Sequence, residues 1–439
     1  MRRLGQLFML MGIATNIGCT IELPGWISIT HEDGTHGEGG EANPLPAPEN
    51  PIGNSEVLNT DEQTRKAETE AYIAKVIYQG RAIEKSVQGP SGTIYDYVRL
   101  PEADILPPDI SGLLPPEPAD GLMLGMTEVQ RYAELWGPAG ATVFTRPDFS
   151  KYIMEPDGAT SVQDWLDNHV IPGIPDDPYR LYSGLNIPVP NRGIHARVNA
   201  FKPEVEKDTF SVIELAVGCP AEGSAEEMIG VLIGADWKNY QMAPTLDFTV
   251  ERWRYVNGKR EGGYGYAGGF DKLPVRPLDV GAALDQFSMI GGEQWEHALM
   301  LIMAPNGDWW VFYNFQAVGM FPAALFTTLN QGACRAQVYG EVYNSHPENG
   351  WVKSEMGSGR FGSTAGNDVA WVRQIRYFDI DGPFIYEPTK DDFAFWSKPY
   401  HTPCYDRSAL TYQGSAGPIM YLGGPGGKNP VCAQKKPSP

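Results

Sequence analysis

A short β-type run late in the chain combines a carboxylate, two phenols and an amide in a spacing that suits chemistry. The run is Gln337-Val338-Tyr339-Gly340-Glu341-Val342-Tyr343. Because side chains alternate between the two faces of a strand, Gln337, Tyr339, Glu341 and Tyr343 share one face, and small or aliphatic residues share the other. The aliphatic face is typical of a core. The face with Glu341 is expected either to line a groove or to be an ordinary half-buried surface with one exposed acid.

Carboxylate catalysis requires a second acid, and two other β-type runs supply candidates. Asp236 projects from the more polar face of residues 231–238, and Glu214 lies among apolar residues of its own face in residues 210–217. Burial among apolar side chains raises the pKa of a carboxyl group, which a general acid needs. Each candidate has a structural alternative: Asp236 as a surface partner of Lys238, and Glu214 at the edge of a sheet.

The sequence lacks the signatures of several other hydrolytic mechanisms. It contains no G-x-S-x-G elbow, no H-E-x-x-H motif, no phosphate-binding glycine loop and only seven histidines. A net charge of -20 without a basic patch disfavours nucleic acid as a partner. We therefore expect a pair of acids that activates water to cleave a peptide or acetal bond, without a metal or a cofactor.

The beginning of the chain has the pattern of a secretion signal. Arg2 and Arg3 precede an apolar run that is too short to remain as a membrane span, and Cys19 ends this segment in a context that resembles a bacterial lipobox. Residues 1–19 are therefore predicted to be a signal peptide, with Cys19 as a lipidation site, and residues 20–59 a disordered acidic linker. The protein is expected to be secreted, or to be an outer-surface or periplasmic lipoprotein that meets the membrane through its lipid alone.

Four cysteines follow Cys19. In an oxidising compartment four cysteines predict two disulfides, for which three connectivities exist. Proximity in sequence favours Cys404 with Cys432, which leaves Cys219 with Cys334. No pair has the C-x-x-C spacing that is typical of a metal site.

The rest of the chain divides into two parts by its secondary-structure pattern. In residues 60–192 we expect a helix that ends near Ser86, a strand over 93–100 and a second helix over 127–135, with proline-rich loops. In residues 193–439 short β runs follow one another between Gly, Pro, Asn and Asp residues, which predicts an antiparallel β-sandwich. The expected fold class is mainly β, with a small α+β N-terminal region.

Several motifs of the second part resemble the neprosin family. They are GIHARVNAFKP at residues 193–203, the Trp309-Trp310 strand, GEVYNS at 340–345, MGSGRF at 356–361, CYD at 404–406 and YLGGPG at 421–426. Upstream, GTIYDYV at residues 92–98 resembles the activation segment of that family, with Tyr97 where a cysteine is usual. The resemblance implies that residues 60–192 are an activation or pro-region-like segment and that residues 193–439 are a neprosin-like β-sandwich of the glutamic peptidase class.

The resemblance also implies where the catalytic acids lie. In the family two glutamates face each other across a groove, and the second of them matches Glu341. The first belongs to an I-E-A-G-W motif, which reads I-G-A-D-W at residues 233–237, so Gly234 stands at its position. Asp236 or Glu214 is then expected to supply the missing acid.

The resulting expectation is an endopeptidase that cleaves next to proline at acidic pH, with Glu341 as the base and Asp236 or Glu214 as the proton donor. Flat aromatic rings suit contact with a proline ring. The residues expected to bind the peptide or protein substrate are Trp237, Tyr339, Gln337 and one or both of Trp309 and Trp310. The alternative is a non-catalytic relative that binds peptide or glycan in the same groove.

Overall fold

The computed structural model describes residues 71, 75, 77–101, 105–117, 120–146, 180–207, 209–221, 225–236, 243–256, 259–274, 277–343, 354–389, 394–398 and 404–428. The predicted signal peptide, Cys19 and the linker lie outside these ranges. Most regular structure in these ranges is β, arranged in three sheets. Within the same ranges no helix has the length and apolar character that a membrane crossing requires.

The first large sheet carries the run around Glu341. Its strands are β4 (Arg180–Ile187), β6 (Phe210–Ala221), β7 (Ala225–Asp236), β8 (Thr245–Val256), β9 (Lys259–Tyr264), β11 (Ala282–Ala283), β15 (Arg335–Tyr343) and β18 (Ala394–Lys398). They are ordered β11-β8-β7-β6-β15-β4-β18, with β9 paired to β8, and neighbouring strands are antiparallel. β15 therefore lies between β4 and β6, near the middle of the sheet.

The second large sheet packs against the first. Its strands are β5 (Gly193–Asn199), β10 (Asp271–Lys272), β12 (Glu296–Met303), β13 (Trp309–Tyr313), β14 (Gln316–Phe321), β16 (Trp371–Phe378), β17 (Ile385–Tyr386), β19 (Asp406–Arg407), β20 (Thr411–Tyr412) and β21 (Pro418–Gly423). The main order is β10-β14-β13-β12-β5-β16-β21-β19. One face of each sheet contributes to a common core, where Val338 of β15 and Val231 of β7 join Ile194 of β5 and Val311 of β13. The predicted antiparallel sandwich is confirmed.

The domain boundary expected at residue 193 falls inside this sandwich. β4 pairs with β15 along its whole length, from Ala336 opposite Ile187 to Tyr343 opposite Arg180. Leu181, Leu185 and Ile187 are buried in the common core. The sandwich therefore includes β4, because this strand pairs with β15 and contributes to the common core.

The N-terminal region is α+β, although its elements differ from those expected. β1 (Ile83–Gln88), β2 (Ile94–Val98) and β3 (Thr142–Thr145) form a three-stranded antiparallel sheet, so the predicted helix does not continue to Ser86. The helix α1 (Glu128–Trp136) matches the second predicted helix, and the Thr127 side chain caps it by accepting a hydrogen bond from the Gln130 amide.

The predicted disulfide between Cys219 and Cys334 is present and joins the end of β6 to the start of β15. Cys404 is also disulfide-bonded. Its predicted partner, Cys432, lies outside the described residues, so this pairing stays a prediction.

Glu227 of β7 holds the loop that follows β14. Its carboxylate accepts hydrogen bonds from the amides of Thr327, Thr328 and Leu329 and from the Thr327 hydroxyl, at 2.6 to 3.0 Å. Burial alone raises the pKa of Glu227, but these hydrogen bonds outweigh burial and lower the pKa below its usual range. The loop is thus fixed by one buried carboxylate.

We expect Glu227→Ala to lower the free energy of unfolding by about 3 kcal/mol at neutral pH, because three backbone amides lose a charged acceptor. Since the pKa of Glu227 is lowered in the folded state, its contribution is complete above the unfolded pKa and is lost as the pH falls through the folded pKa. Denaturant titrations over a range of pH measure both effects. Glu226→Ala, at the half-exposed neighbouring acid that forms an ion pair with Arg335, is the matched control and should change stability far less. Equal effects of the two variants would contradict this role.

Candidate active site

The candidate site lies on the face of the first large sheet that is turned away from the common core. Glu341 of β15 has Tyr182 of β4 on one side and Val212 of β6 on the other, and Gly234 of β7 lies beyond Val212. Gln337 and Tyr339 project from the same face of β15 as Glu341. Because directly opposite residues of paired strands project from the same face, the site residues form rows that run across β4, β15, β6 and β7.

Glu341 is buried, with 3% of its surface exposed, and its charge is compensated. The Arg180 guanidinium donates a short hydrogen bond to Glu341 Oε1. Arg180 is held in turn by the rings of Phe210 and Tyr343, each with its centroid 5.4 Å from the guanidinium carbon. Burial alone lowers the pKa of Arg180, but the negative charge of Glu341 raises it, and the net shift is upward. The ion pair therefore stabilises the carboxylate form of Glu341.

Glu214 lies on the neighbouring strand, directly opposite Tyr339, and has the opposite electrostatic environment. Its side chain is 1% exposed. Burial raises the pKa of Glu214 well above the usual range, the negative charges of Glu251 and Glu341 raise it further, and the nearby Tyr339 hydroxyl opposes the shift. Among the described residues, neither carboxyl oxygen of Glu214 has a hydrogen-bond partner of good geometry. Burial and the neighbouring negative charges therefore favour the protonated form of Glu214.

Glu251 of β8 approaches Glu214 across β7, and a glycine makes this approach feasible. Gly230 lies directly opposite Glu251 in the β7–β8 pair. A Cβ atom at residue 230 would overlap Glu214 Oε1 and would lie 3.2 Å from Glu251 Cγ. The absence of a side chain at Gly230 therefore leaves room for two carboxyl groups on neighbouring rows.

Gly234 lies in the same row as Glu341, as the sequence motif predicted. A glycine has no side chain, so this position supplies no carboxyl group opposite Glu341. Val212 fills the space between the two positions, since a Cβ at residue 234 would overlap Val212 Cγ1 and lie 2.8 Å from the Ser211 carbonyl oxygen. The aliphatic side chain of Val212 thus lies beside Gly234, between that position and Glu341.

The two relocated acids considered from the sequence are not equally placed. Glu214 is one strand and two residues from Glu341, which in a regular sheet corresponds to roughly 8 Å between Cα atoms. Asp236 pairs with Phe210 and so lies two strands and two residues away, or roughly 12 Å. The structure therefore brings Glu214 and Glu341 together and leaves Asp236 at the margin of the site.

The residues expected to bind substrate are distributed over different parts of the molecule. Tyr339 lies in the centre of the site, where its ring packs edge-on against Tyr182 at 5.6 Å, and Gln337 is buried at the same face. Trp237 lies outside the described residues.

The two tryptophans at 309 and 310 do not line the groove. Both belong to β13 of the second large sheet. Trp309 faces the common core, where its Nε1 donates a 2.8 Å hydrogen bond to the Leu329 carbonyl oxygen. Trp310 faces the opposite side of that sheet and packs near Ile110 and Leu113. Assigning them to substrate binding was wrong, because strand pairing places β13 in the other layer.

Sequence reasoning missed three residues of the site: Arg180, Tyr182 and Glu251. Glu251 shares a face with Thr249 in a run that alternates with core residues Phe248 and Val250, so its direction was readable from periodicity. Arg180 and Tyr182 precede the expected domain boundary, and no local signal in the sequence connects them with a residue 161 positions away.

Comparison with protein families finds a match over part of the chain. The neprosin family model matches residues 250–425, a range that contains Glu251 and Glu341 and omits Arg180 and Glu214. The resemblance recognised from sequence motifs is thereby confirmed.

Two crystal structures of scytalido-glutamic peptidase with transition-state analogues have TM-scores of 0.30 and 0.29 to this chain, with 8% and 9% identity. SCP-B, a member of the eqolisin family of peptidases in a complex with the tripeptide Ala-Ile-His, has a TM-score of 0.25 and 9% identity. Each alignment covers 56% of this chain and 97% of the other.

Proposed function

We propose that the chain is a glutamic-type endopeptidase in which Glu341 activates water and Glu214 protonates the leaving nitrogen. The observation that carries the proposal is the opposed environment of the two acids. Arg180 compensates the charge of Glu341, whereas burial and two like charges raise the pKa of Glu214. Two neighbouring carboxyl groups whose environments favour different protonation states form an acid and base pair.

In this mechanism the Glu341 carboxylate takes a proton from a water molecule as the water oxygen attacks the carbonyl carbon of the peptide bond. Glu214 gives its proton to the amide nitrogen as the carbon–nitrogen bond breaks, which leaves an acid and an amine. Transfer of the captured proton from Glu341 to Glu214 restores both groups. Burial raises the pKa of the Tyr339 hydroxyl, so this group stays a donor and can stabilise the developing oxyanion.

Two finer parts of the proposal come from the sequence. Cleavage next to proline follows from the family resemblance, and the aromatic rings of Tyr182 and Tyr339 suit contact with a proline ring. Secretion and lipidation at Cys19 follow from residues 1–19. A protein outside the cytoplasm would also keep the Cys219–Cys334 disulfide oxidised.

A digest of a proteome-derived peptide library at several pH values, read by mass spectrometry, tests the activity and its proline preference. The variants Glu214→Gln and Asp236→Asn identify the donor: we expect the first to lose about 10²–10⁴-fold in rate and the second to retain most of it. Loss of activity in Asp236→Asn alone would instead assign the donor to Asp236.

The second candidate is a non-catalytic groove that binds peptide or glycan. The absence of an acid at Gly234, and the Val212 side chain that fills the space beside it, favour this candidate. It predicts no cleavage at any pH, together with ligand binding that survives Glu341→Gln. Calorimetry with library peptides and oligosaccharides distinguishes the two.

The pH profile provides a separate test of the acid. Because the pKa of Glu214 is raised, the basic limb of kcat/KM should lie above the ordinary range of a glutamic acid, and protonation of the base Glu341 should set the acidic limb. Glu251→Gln removes a negative charge that raises this pKa, so the basic limb should move to lower pH. Glu293→Gln, at an exposed acid elsewhere, is the control. An unchanged profile in Glu251→Gln would contradict the assignment of Glu214.

A further inference from the structure

A second cluster of buried charges lies on the outer face of the second large sheet, away from the candidate active site. Arg197 of β5 and Arg373 of β16 are register partners, and they are 0% and 3% exposed. Glu296 lies between them, accepting a 2.7 Å hydrogen bond from Arg373 and lying 3.8 Å from Arg197. The Trp371 indole also donates to Glu296, at 2.8 Å. Two buried positive charges therefore share one buried negative charge.

The remaining charge is compensated by a segment that we call the strap, residues 105–117 and 120–126. Glu117 accepts a 2.9 Å hydrogen bond from Arg197, and Asp120 accepts two from Arg373. The side chains of Glu117 and Asp120 are 77% and 45% exposed. The arginines are thus part of the folded interior, whereas the acids reach them from the surface. Buried arginines require such anions, because an uncompensated buried charge is strongly destabilising.

The strap makes two further kinds of contact with the same face. Ile110 and Leu113 pack into an apolar cluster with Trp310 and Phe312. The Gln374 amide donates a 2.8 Å hydrogen bond to the Pro116 carbonyl oxygen. Apolar anchors, one main-chain contact and paired charges are the elements by which proteins recognise extended peptides.

The spacing of the acids suits an extended, proline-rich peptide. Glu117 and Asp120 are three residues apart in the sequence Pro115-Pro116-Glu117-Pro118-Ala119-Asp120. Three residues are one turn of a polyproline II helix, so side chains at this spacing project from the same side. Two carboxylates on one side of such a peptide match two arginines on neighbouring strands.

Arg197 has binding capacity that the strap does not use. Within the described residues, its Nε and Nη1 atoms are buried without a hydrogen-bond acceptor. The ring of Phe315 lies 5.9 Å from its guanidinium carbon and forms one wall beside it. Nη1 lies 3.8 Å from Glu296, so Arg197 can form hydrogen bonds in addition to the one that Glu117 accepts.

We propose that this face is a binding site for extended, acidic, proline-containing peptides, with the strap as its intramolecular occupant. A peptide segment of another protein with two carboxylates at a spacing of three residues replaces the strap at Arg197 and Arg373. The site is independent of the proposed peptidase activity, since its residues belong to the other sheet.

The test uses the full chain with Glu341→Gln, so that the probe is not hydrolysed. The probe is a fluorescent peptide with the sequence of residues 109–122, and binding is followed by polarisation. Glu117→Gln/Asp120→Asn weakens the intramolecular occupant, which otherwise competes at a high effective concentration. We expect this double variant to bind the probe at least tenfold more tightly than the chain with its native strap, and added salt to weaken binding.

A control peptide with glutamine and asparagine in place of its two acids should bind the double variant at least tenfold more weakly. The single variant Asp120→Asn serves if the double variant does not fold. Equal binding of the acidic and neutral peptides, equal binding by native and altered straps, or no binding by any of them would overturn the proposal. Absence of peptide hydrolysis by the wild-type chain would refute the proposed function and leave this site unaffected.

Discussion

Glu341→Gln is expected to abolish peptide hydrolysis, with a loss of about 10²–10⁴-fold in kcat/KM, the range found when a general acid or base is removed. Glutamine has nearly the shape of glutamate and can still accept a hydrogen bond from Arg180, but it cannot take a proton from water. The loss should therefore appear in kcat rather than in KM. The measurement is a steady-state assay on the best substrate from the library digest.

The control for this variant is Glu293→Gln, which removes a carboxylate on the exposed surface. It should keep wild-type kinetics, and both proteins should unfold cooperatively. Full activity in folded Glu341→Gln would remove Glu341 from the mechanism. The groove would then be a non-catalytic site that binds peptide or glycan, as in the second candidate function.

Arg180→Met is expected to have the largest effect on stability. The methionine keeps much of the apolar contact with Phe210 and Tyr343 but leaves the buried Glu341 carboxylate without its counter-charge. Removing one partner of a buried ion pair costs about 3–5 kcal/mol. Activity should fall as well, because loss of the Arg180 charge makes the buried Glu341 carboxyl group bind a proton more readily, and the protonated group is no longer a base.

A double-mutant cycle separates the ion pair from other contacts of Arg180. In Arg180→Met/Glu341→Gln both charges of this ion pair are removed, so much of the lost stability should return, although activity stays absent. Arg99→Met, at a surface ion pair with Glu84, is the matched control and should change stability far less. If the changes in the free energy of unfolding caused by Arg180→Met and Glu341→Gln simply add in the double variant, the ion pair does not contribute to stability as proposed.

The glycine at residue 234 leaves open which group acts as the acid, and these experiments identify it. Because residue 234 is a glycine, the row of Glu341 lacks the second glutamate that the family resemblance implied, and Val212 lies between the two positions. Glu214 lies one strand closer to Glu341 than Gly234 does, and Gly230 leaves room for its carboxyl group. In the proposed mechanism Glu214 therefore supplies the acid from the row next to that of Glu341.

The alternation of residues within single strands was readable from the sequence. A period of two separates the core face of β15 from the face with Tyr339 and Glu341, and it places Glu214 among apolar neighbours. For the same reason the antiparallel sandwich could be predicted from its short alternating runs. These features depend on the local geometry of an extended backbone, which each segment carries by itself.

Tertiary structure alone decided which strands are neighbours. The pairing of β4 with β15 brings Arg180 to Glu341, the pairing of β7 with both β6 and β8 brings Glu251 to Glu214, and β13 carries its tryptophans into the other sheet. Strand pairing is set by hydrogen bonds and packing between distant segments, and no local period encodes it. The sequence thus determined what each strand presents on its two faces, and the fold determined which of those side chains meet and which protonation state their contacts favour.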